Sequence, residues 1–236
     1  MKMWKILLVI AIVGLIMLAG YLIIRRVFRP IRYVRVIEWI RNAKSHPEWA
    51  VTALDSCDNA PFIFPTDGYI GFLWGDSFRP GHSHQGLDIF SGTKTGITPV
   101  VAAYDGYLTR MPNWKASIII RIPNDPLNPE QQIWSYYTHM ADDLGNSYIV
   151  DQFPAGTSES FVEAGTLLGY QGNYSGSPGN PTGIHLHFSI VKDDGLGRFL
   201  NELEIKNTMD PSPYFNLDLN ARTNRDVIPV CQPIQN

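Results

Sequence analysis

The sequence predicts a mainly β protein, a small antiparallel β-sheet fold preceded by one N-terminal transmembrane helix. Three observations carry that prediction. Residues 6–24 run without a charge, which at about 1.5 Å per residue is long enough to cross a bilayer once. Between residues 62 and 191, short β-prone runs are separated by Gly, Pro, Asn and Asp, and no long stretch keeps a helical period. The 236 residues are 44% hydrophobic and 17% charged, too apolar and too lightly charged for a disordered chain.

Taken in order, residues 1–24 are the expected membrane anchor, with Trp4 and Tyr21 placed for its two interfaces. The apolar core is long for a signal peptide and no A-x-A site closes it, so the segment reads as uncleaved. Leu18-Ala19-Gly20 begins like a lipoprotein box, but Tyr21 stands where the lipidated Cys belongs. Residues 25–60 read as a basic juxtamembrane helix and linker. There Tyr33, Val36, Ile37 and Ile40 share one helical face and Arg32, Arg35 and Glu38 the other, the pattern of a helix lying on anionic lipid.

Residues 61–215 hold the domain and 216–236 a C-terminal tail. Strands are expected at 69–73, 100–103, 106–110, 117–122, 133–139, 166–171 and 184–191, with Asp105-Gly106 as a hairpin signal and 123–131 as a connector. The polar connectors 141–160 and 172–183 are suited to framing a cleft.

Charge excludes one class of function. Residues 1–44 hold nine of the 19 Lys and Arg and one of the 22 acids, leaving the remainder at a formal −11. Nucleic-acid binding needs a basic footprint, so no nucleic-acid partner is expected. Cys57 and Cys231 bracket the domain outside any metal-ligand spacing. Their pairing would tie its ends together and imply an oxidising, extracytoplasmic setting; two unrelated free thiols are the alternative.

Chemistry concentrates in three short stretches. In His84-Gln85-Gly86-Leu87-Asp88, an extended chain turns His84, Gly86 and Asp88 one way and leaves room at Gly86 for an ion. In Ile184-His185-Leu186-His187-Phe188-Ser189-Ile190, the apolar residues claim one face and the two imidazoles the other, about 7 Å apart. One of them can then bind a metal while the other stands beside the metal's open position. In Tyr137-Thr138-His139, the outer two residues share a face of an extended run. Each stretch alone is more often an ordinary surface or satisfied polar feature. Together they hold three good zinc ligands and two spare imidazoles, the composition of an open catalytic site and not of a closed structural one. No H-E-x-x-H occurs, which excludes a helix-borne zincin. His82 forms a second H-x-H with His84 and reads as a loop residue; His46 reads as incidental.

With these stretches the sequence resembles the lysostaphin-type, or LytM-type, zinc endopeptidases of bacterial cell-wall metabolism. The likeness rests on the H-x-x-x-D of His84 to Asp88, the Y-x-H of Tyr137 to His139 and the H-x-H of His185 to His187, in that order. The framing stretches 98–102, 105–106, 162–169, 182–183 and 210–211 extend it. The resemblance implies one zinc ion per chain bound by His84, Asp88 and His187, with His185 and His139 as the catalytic histidines. It also implies a peptidoglycan peptide as substrate and a small antiparallel fold with the site in a groove. The long connector after His139 and the extra 175–181 segment depart from the usual pattern, which leaves groove shape and substrate preference open.

The reaction expected is metal-assisted peptide hydrolysis, with His185 as general base, His139 donating to the oxyanion, these roles being exchangeable, and Tyr137 packing more than assisting. Three assignments follow. The first is an active single-pass peptidoglycan endopeptidase whose domain lies outside the cytoplasmic membrane. The second is a non-catalytic module of the same fold that binds peptidoglycan or activates another wall hydrolase. The third takes literally the excess of Arg25, Arg26, Arg29, Arg32, Arg35, Arg41 and Lys44 over Lys2 and Lys5 and places the domain in the cytoplasm. The complete residue set favours the first.

Overall fold

The structure, a computed structural model, describes residues 3–4, 7–8, 10–15, 17, 20, 31–77, 81–224 and 226–231. A helix α1 (Ile31–Asn42) opens the domain, followed by β1 (Ala50–Val51), β2 (Gly68–Phe72), β3 (Leu87–Phe90), β4 (Pro99–Val101) and β5 (Gly106–Thr109). Then come β6 (Ile118–Ile122), β7 (Ile133–Thr138), β8 (Ser160–Val162), β9 (Leu167–Tyr170), β10 (Leu186–Lys192), β11 (Thr208–Met209) and the short α2 (Ser212–Phe215). The main sheet has nine strands in the order β1-β2-β3-β10-β7-β6-β5-β8, with β11 also paired to β10; β4 and β9 form a second, two-stranded sheet. Every pairing between these strands is antiparallel.

Alternation along the strands separates the two faces of the main sheet. Leu87, Ile89, Leu186, Phe188, Ile190, Ile118, Ile120 and Tyr137 point into the principal core, where Phe62, Phe64 and Phe215 join them. The opposite face carries two smaller apolar clusters. One joins Tyr69 and Phe90 to Val36 and Trp39 of α1; the other gathers Ile119, Trp134, Tyr136 and Val191 with Trp114 and Phe199. The stretch between these clusters holds the histidines.

Helix α1 exists but is turned differently from the expectation. Arg32, Val36 and Trp39 are buried, whereas Tyr33 and Ile40 are exposed. Two contacts decide the orientation. Asp76 gives Arg32 a two-pronged partner at 2.8 and 2.9 Å, and Trp39 donates its indole N–H to the Phe90 carbonyl at 2.6 Å. A carbon on Gly71 would stand 2.5 Å from the Val36 side chain, so β2 is shaped to receive the helix.

Among the described residues no helix is long and apolar enough to cross a membrane. The expected span at 6–24 lies in part outside the described residues. Cys57 and Cys231 form a disulfide, Cα to Cα 5.2 Å, across a sequence separation of 174. Asp105-Gly106 turns the chain but closes no hairpin: β4 pairs with β9, while β5 pairs with β6 and β8. Gly106 is required for a different reason, since a carbon there would lie 2.4 Å from the Arg121 carbonyl oxygen of β6.

Candidate metal and catalytic centre

Strand β10 lies between β3 and β7, and its register sets His187 opposite both Asp88 and Thr138. The main sheet thereby joins segments about 100 residues apart in sequence. His84 reaches the same point from the loop before β3, which begins only at Leu87. The space at Gly86 is not room for an ion: a carbon there would meet the Phe188 carbonyl oxygen at 2.0 Å. Gly86 lets β10 close against β3, and that closure places His187 beside Asp88.

His84 Nε2 and His187 Nδ1 lie 3.0 and 2.9 Å from the same Asp88 oxygen and 3.1 Å from each other. The ligand atoms of all three residues fall within 4.8 Å. The His84 Nδ1 stands 2.9 Å from the Leu73 carbonyl, which can only accept, so Nδ1 carries a hydrogen and Nε2 of the neutral ring is a bare acceptor. Two acceptors 3.0 Å apart need positive charge between them, from a proton or a metal cation. Proton affinities follow the same demand. Burial opposes charge on His84, but Asp88 overrides it and the imidazole is raised above its ordinary value. Burial likewise opposes ionisation of Asp88, yet the imidazoles around it hold its carboxyl well below the carboxylate range. Two nitrogens and a carboxylate oxygen with a carbonyl orienting one ring suit zinc by donor type.

His185 and His139 stand beside this trio. The His185 ring stacks on Phe90 at 4.9 Å, donates from Nδ1 to the Gly183 carbonyl at 2.7 Å, and sets Nε2 3.5 Å from Asp88. The His139 ring lies 4.5 Å from that of His185 and donates from Nδ1 to the Tyr174 carbonyl at 2.7 Å. Burial pushes His139 down to about 3, and the neighbouring imidazoles add to the effect. With Nδ1 donating to a carbonyl, each ring when neutral offers a bare Nε2.

Tyr137 and His139 do not share a face. Strict alternation would turn His139 toward the core with Tyr137, but its backbone takes φ +73° and swings the ring back to the Thr138 side. Tyr137 is fully buried, accepts a hydrogen bond from the Ala103 N–H at 2.9 Å and packs edge-on to Phe188, so it is a core residue. His82 does not line the cleft, and His46 stacks on Trp49 beside α1 at 3.9 Å.

The five residues open onto a cleft of about 580 Å³. Its walls include Tyr136, Ser117 and Thr138, linked by hydrogen bonds of 3.0 and 2.7 Å. Phe90, Gln85, Tyr136 and Glu202 went unnoticed as site residues in the sequence. Alternation could have found Tyr136, two positions before Thr138; Glu202 follows no pattern.

No family model matches the chain, and no curated protein matches it. Among solved structures it is similar to the antimicrobial peptidase lysostaphin from Staphylococcus simulans, with 18% identity over 78% of this chain and 62% of that one, at TM-score 0.39. A lytM protein from Ruminococcus gnavus shares 24% over 55% of this chain and 44% of that one, at 0.35. The prophage-encoded M23 protein EnpA from Enterococcus faecalis, as a catalytic-domain variant, shares 20% over 64% and 94%, at 0.36. The chain thus spans less than two thirds of the length of the first two. Likenesses this low carry no argument, and the reading of the site rests on its own residues.

Proposed function

We propose that this chain is a zinc metalloendopeptidase of the lysostaphin/LytM type that hydrolyses peptide bonds in peptidoglycan stems or cross-bridges. The carrying observation is the convergence of His84, Asp88 and His187 within 4.8 Å beside two imidazoles whose Nδ1 hydrogens are both held by backbone carbonyls. In this reading His84, Asp88 and His187 hold one zinc ion per chain, which when bound supplies Lewis-acid polarisation of the scissile carbonyl and of the attacking water.

The chain's own residues do the rest. His185, fixed by Phe90 and the Gly183 carbonyl, takes a proton at Nε2 as general base. His139 presents a second bare Nε2 whose burial disfavours protonation; it accepts a hydrogen bond and helps orient the attacking water, and it would donate to an oxyanion only after first taking a proton there. The cleft walls align the peptide, and the positive-φ turn at His139 keeps its ring on the same side as His185.

The apolar run at 6–24 supports attachment to the cytoplasmic membrane by a single pass. The Cys57–Cys231 disulfide supports placing the domain on the oxidising, extracytoplasmic side, where peptidoglycan is, against the bias of the basic flank.

The test incubates the full chain in detergent with purified peptidoglycans of several cross-link types and identifies released fragments by mass spectrometry. The expectation is cleavage that needs one equivalent of zinc. His187→Ala should lose metal and activity together, while His185→Ala should keep metal and lose turnover by a factor of about 100 to 10,000. Folded, zinc-loaded protein that releases nothing from any wall type would defeat the peptidase reading.

A further inference from the structure

We propose that Glu202 makes one wall of the cleft a subsite for a primary amine, so that the preferred peptide carries a free amino group beside the scissile bond. The inference rests on the peptidase reading for its claim that a peptide fills the cleft.

Three charged side chains of the cleft walls are Asp88, Lys115 and Glu202. Asp88 is engaged by His84 and His187. Lys115 lies over the Tyr174 ring, 5.9 Å from its centre. Glu202 is half-buried, and among the described residues it makes no hydrogen bond or ion pair. A partly desolvated carboxylate without a partner in a substrate groove favours a cation that brings its own hydrogens.

The surroundings fit that cation. Trp114 and Tyr136 meet edge to face, ring centres 5.7 Å apart, in the same cleft. Glu202 lines that same cleft beside them. An ammonium group lying there gains contact with the half-buried Trp114 ring as well as the carboxylate. The segment is also held in place: Gln85, next to His84, donates its side-chain amide to the Leu203 carbonyl at 2.8 Å. The amine subsite is thus tied to the loop that carries a proposed metal ligand.

A primary amine in a wall peptide is either a diamino-acid side chain or a free amino terminus. The experiment compares a lysine-containing stem peptide with its Nε-acetyl and Nα-acetyl forms, measuring binding by equilibrium dialysis and hydrolysis by mass spectrometry. The zinc-loaded full chain in detergent is used, alongside Glu202→Gln and Glu202→Lys. Wild-type protein should bind one free-amine form about 10- to 100-fold more tightly than its acetylated partner, and which acetylation matters identifies the source. Glu202→Gln should abolish the preference, and Glu202→Lys should reverse it, binding the acetylated form more tightly than the free amine. Equal binding of all forms by wild type, no measurable binding of any, or an unchanged preference in Glu202→Gln would overturn the proposal. Binding preference without hydrolysis of any peptide or wall would remove the peptidase reading and leave the subsite standing.

Discussion

At Gly86 one missing carbon decides whether the proposed metal site forms. An alanine there would force its methyl against the Phe188 carbonyl, 2.0 Å from the ideal Cβ position, and a strand backbone cannot swing aside as a flexible side chain can. Gly86→Ala should cost at least about 3 kcal/mol and weaken zinc binding in parallel, measured by urea denaturation and metal titration. A variant of unchanged stability would remove the packing argument. His139 gives a prediction in pH. Its folded value of about 3 lies below the ordinary 6.5, so the unfolded chain binds its proton more readily. In metal-free protein its contribution to stability is fully present above pH 6.5 and is lost as pH falls toward 3. Wild type should lose stability more steeply than His139→Asn between those limits, and parallel curves would contradict the assignment. The five histidine and aspartate positions were legible because metal chemistry restricts residue type and spacing. Glu202 and Phe90 were not, because only the fold brings them beside the histidines, from positions that no local spacing marks.

Strands β5, β6, β7, β9 and β10 were legible, within about two residues at the ends, as β-branched and aromatic runs between turn signals, although only β5 alternates between buried and half-buried positions along its length. The short β1, β8 and β11, of two or three residues each, leave too few positions for a period to register. Strand β3 has only four residues, too few for a period to identify a strand without its neighbours. Helix α1 was legible as a helix, but its docking face depends on Asp76 and Phe90, which no local pattern reveals. Its packing carries a consequence for the site: Trp39 holds the Phe90 carbonyl, and the Phe90 ring supports His185. Trp39→Ala should cost about 3 to 5 kcal/mol and lower kcat while one zinc per chain is retained. Trp39→Phe, which keeps most of the packing and loses only the hydrogen bond, should fall between the two. Loss of stability with kcat unchanged in both would make the contact merely structural.

For the whole domain the informative link is the disulfide between Cys57 and Cys231. Closing a loop of 174 positions restricts the unfolded chain by up to about 5 kcal/mol in the entropic account. The paired Cys57→Ser and Cys231→Ser variant should therefore unfold at clearly lower urea, and reduction of wild type should match it. Reduction that leaves the midpoint unmoved would show that the link adds nothing to the folded state. Order within the main sheet was the least legible level. Neighbours such as β3 and β10 pair across most of the domain, and the sequence marks which residues face the core without naming which strand lies alongside.

The same bond makes residues 57–231 a covalent ring. A protease that nicks the exposed connector at 175–181 would produce two polypeptides and still release no fragment. The nicked product should run as one band without reductant and as two with it. For an enzyme proposed to work outside the cell membrane, among other hydrolases, a single cut is then a scar and not a loss.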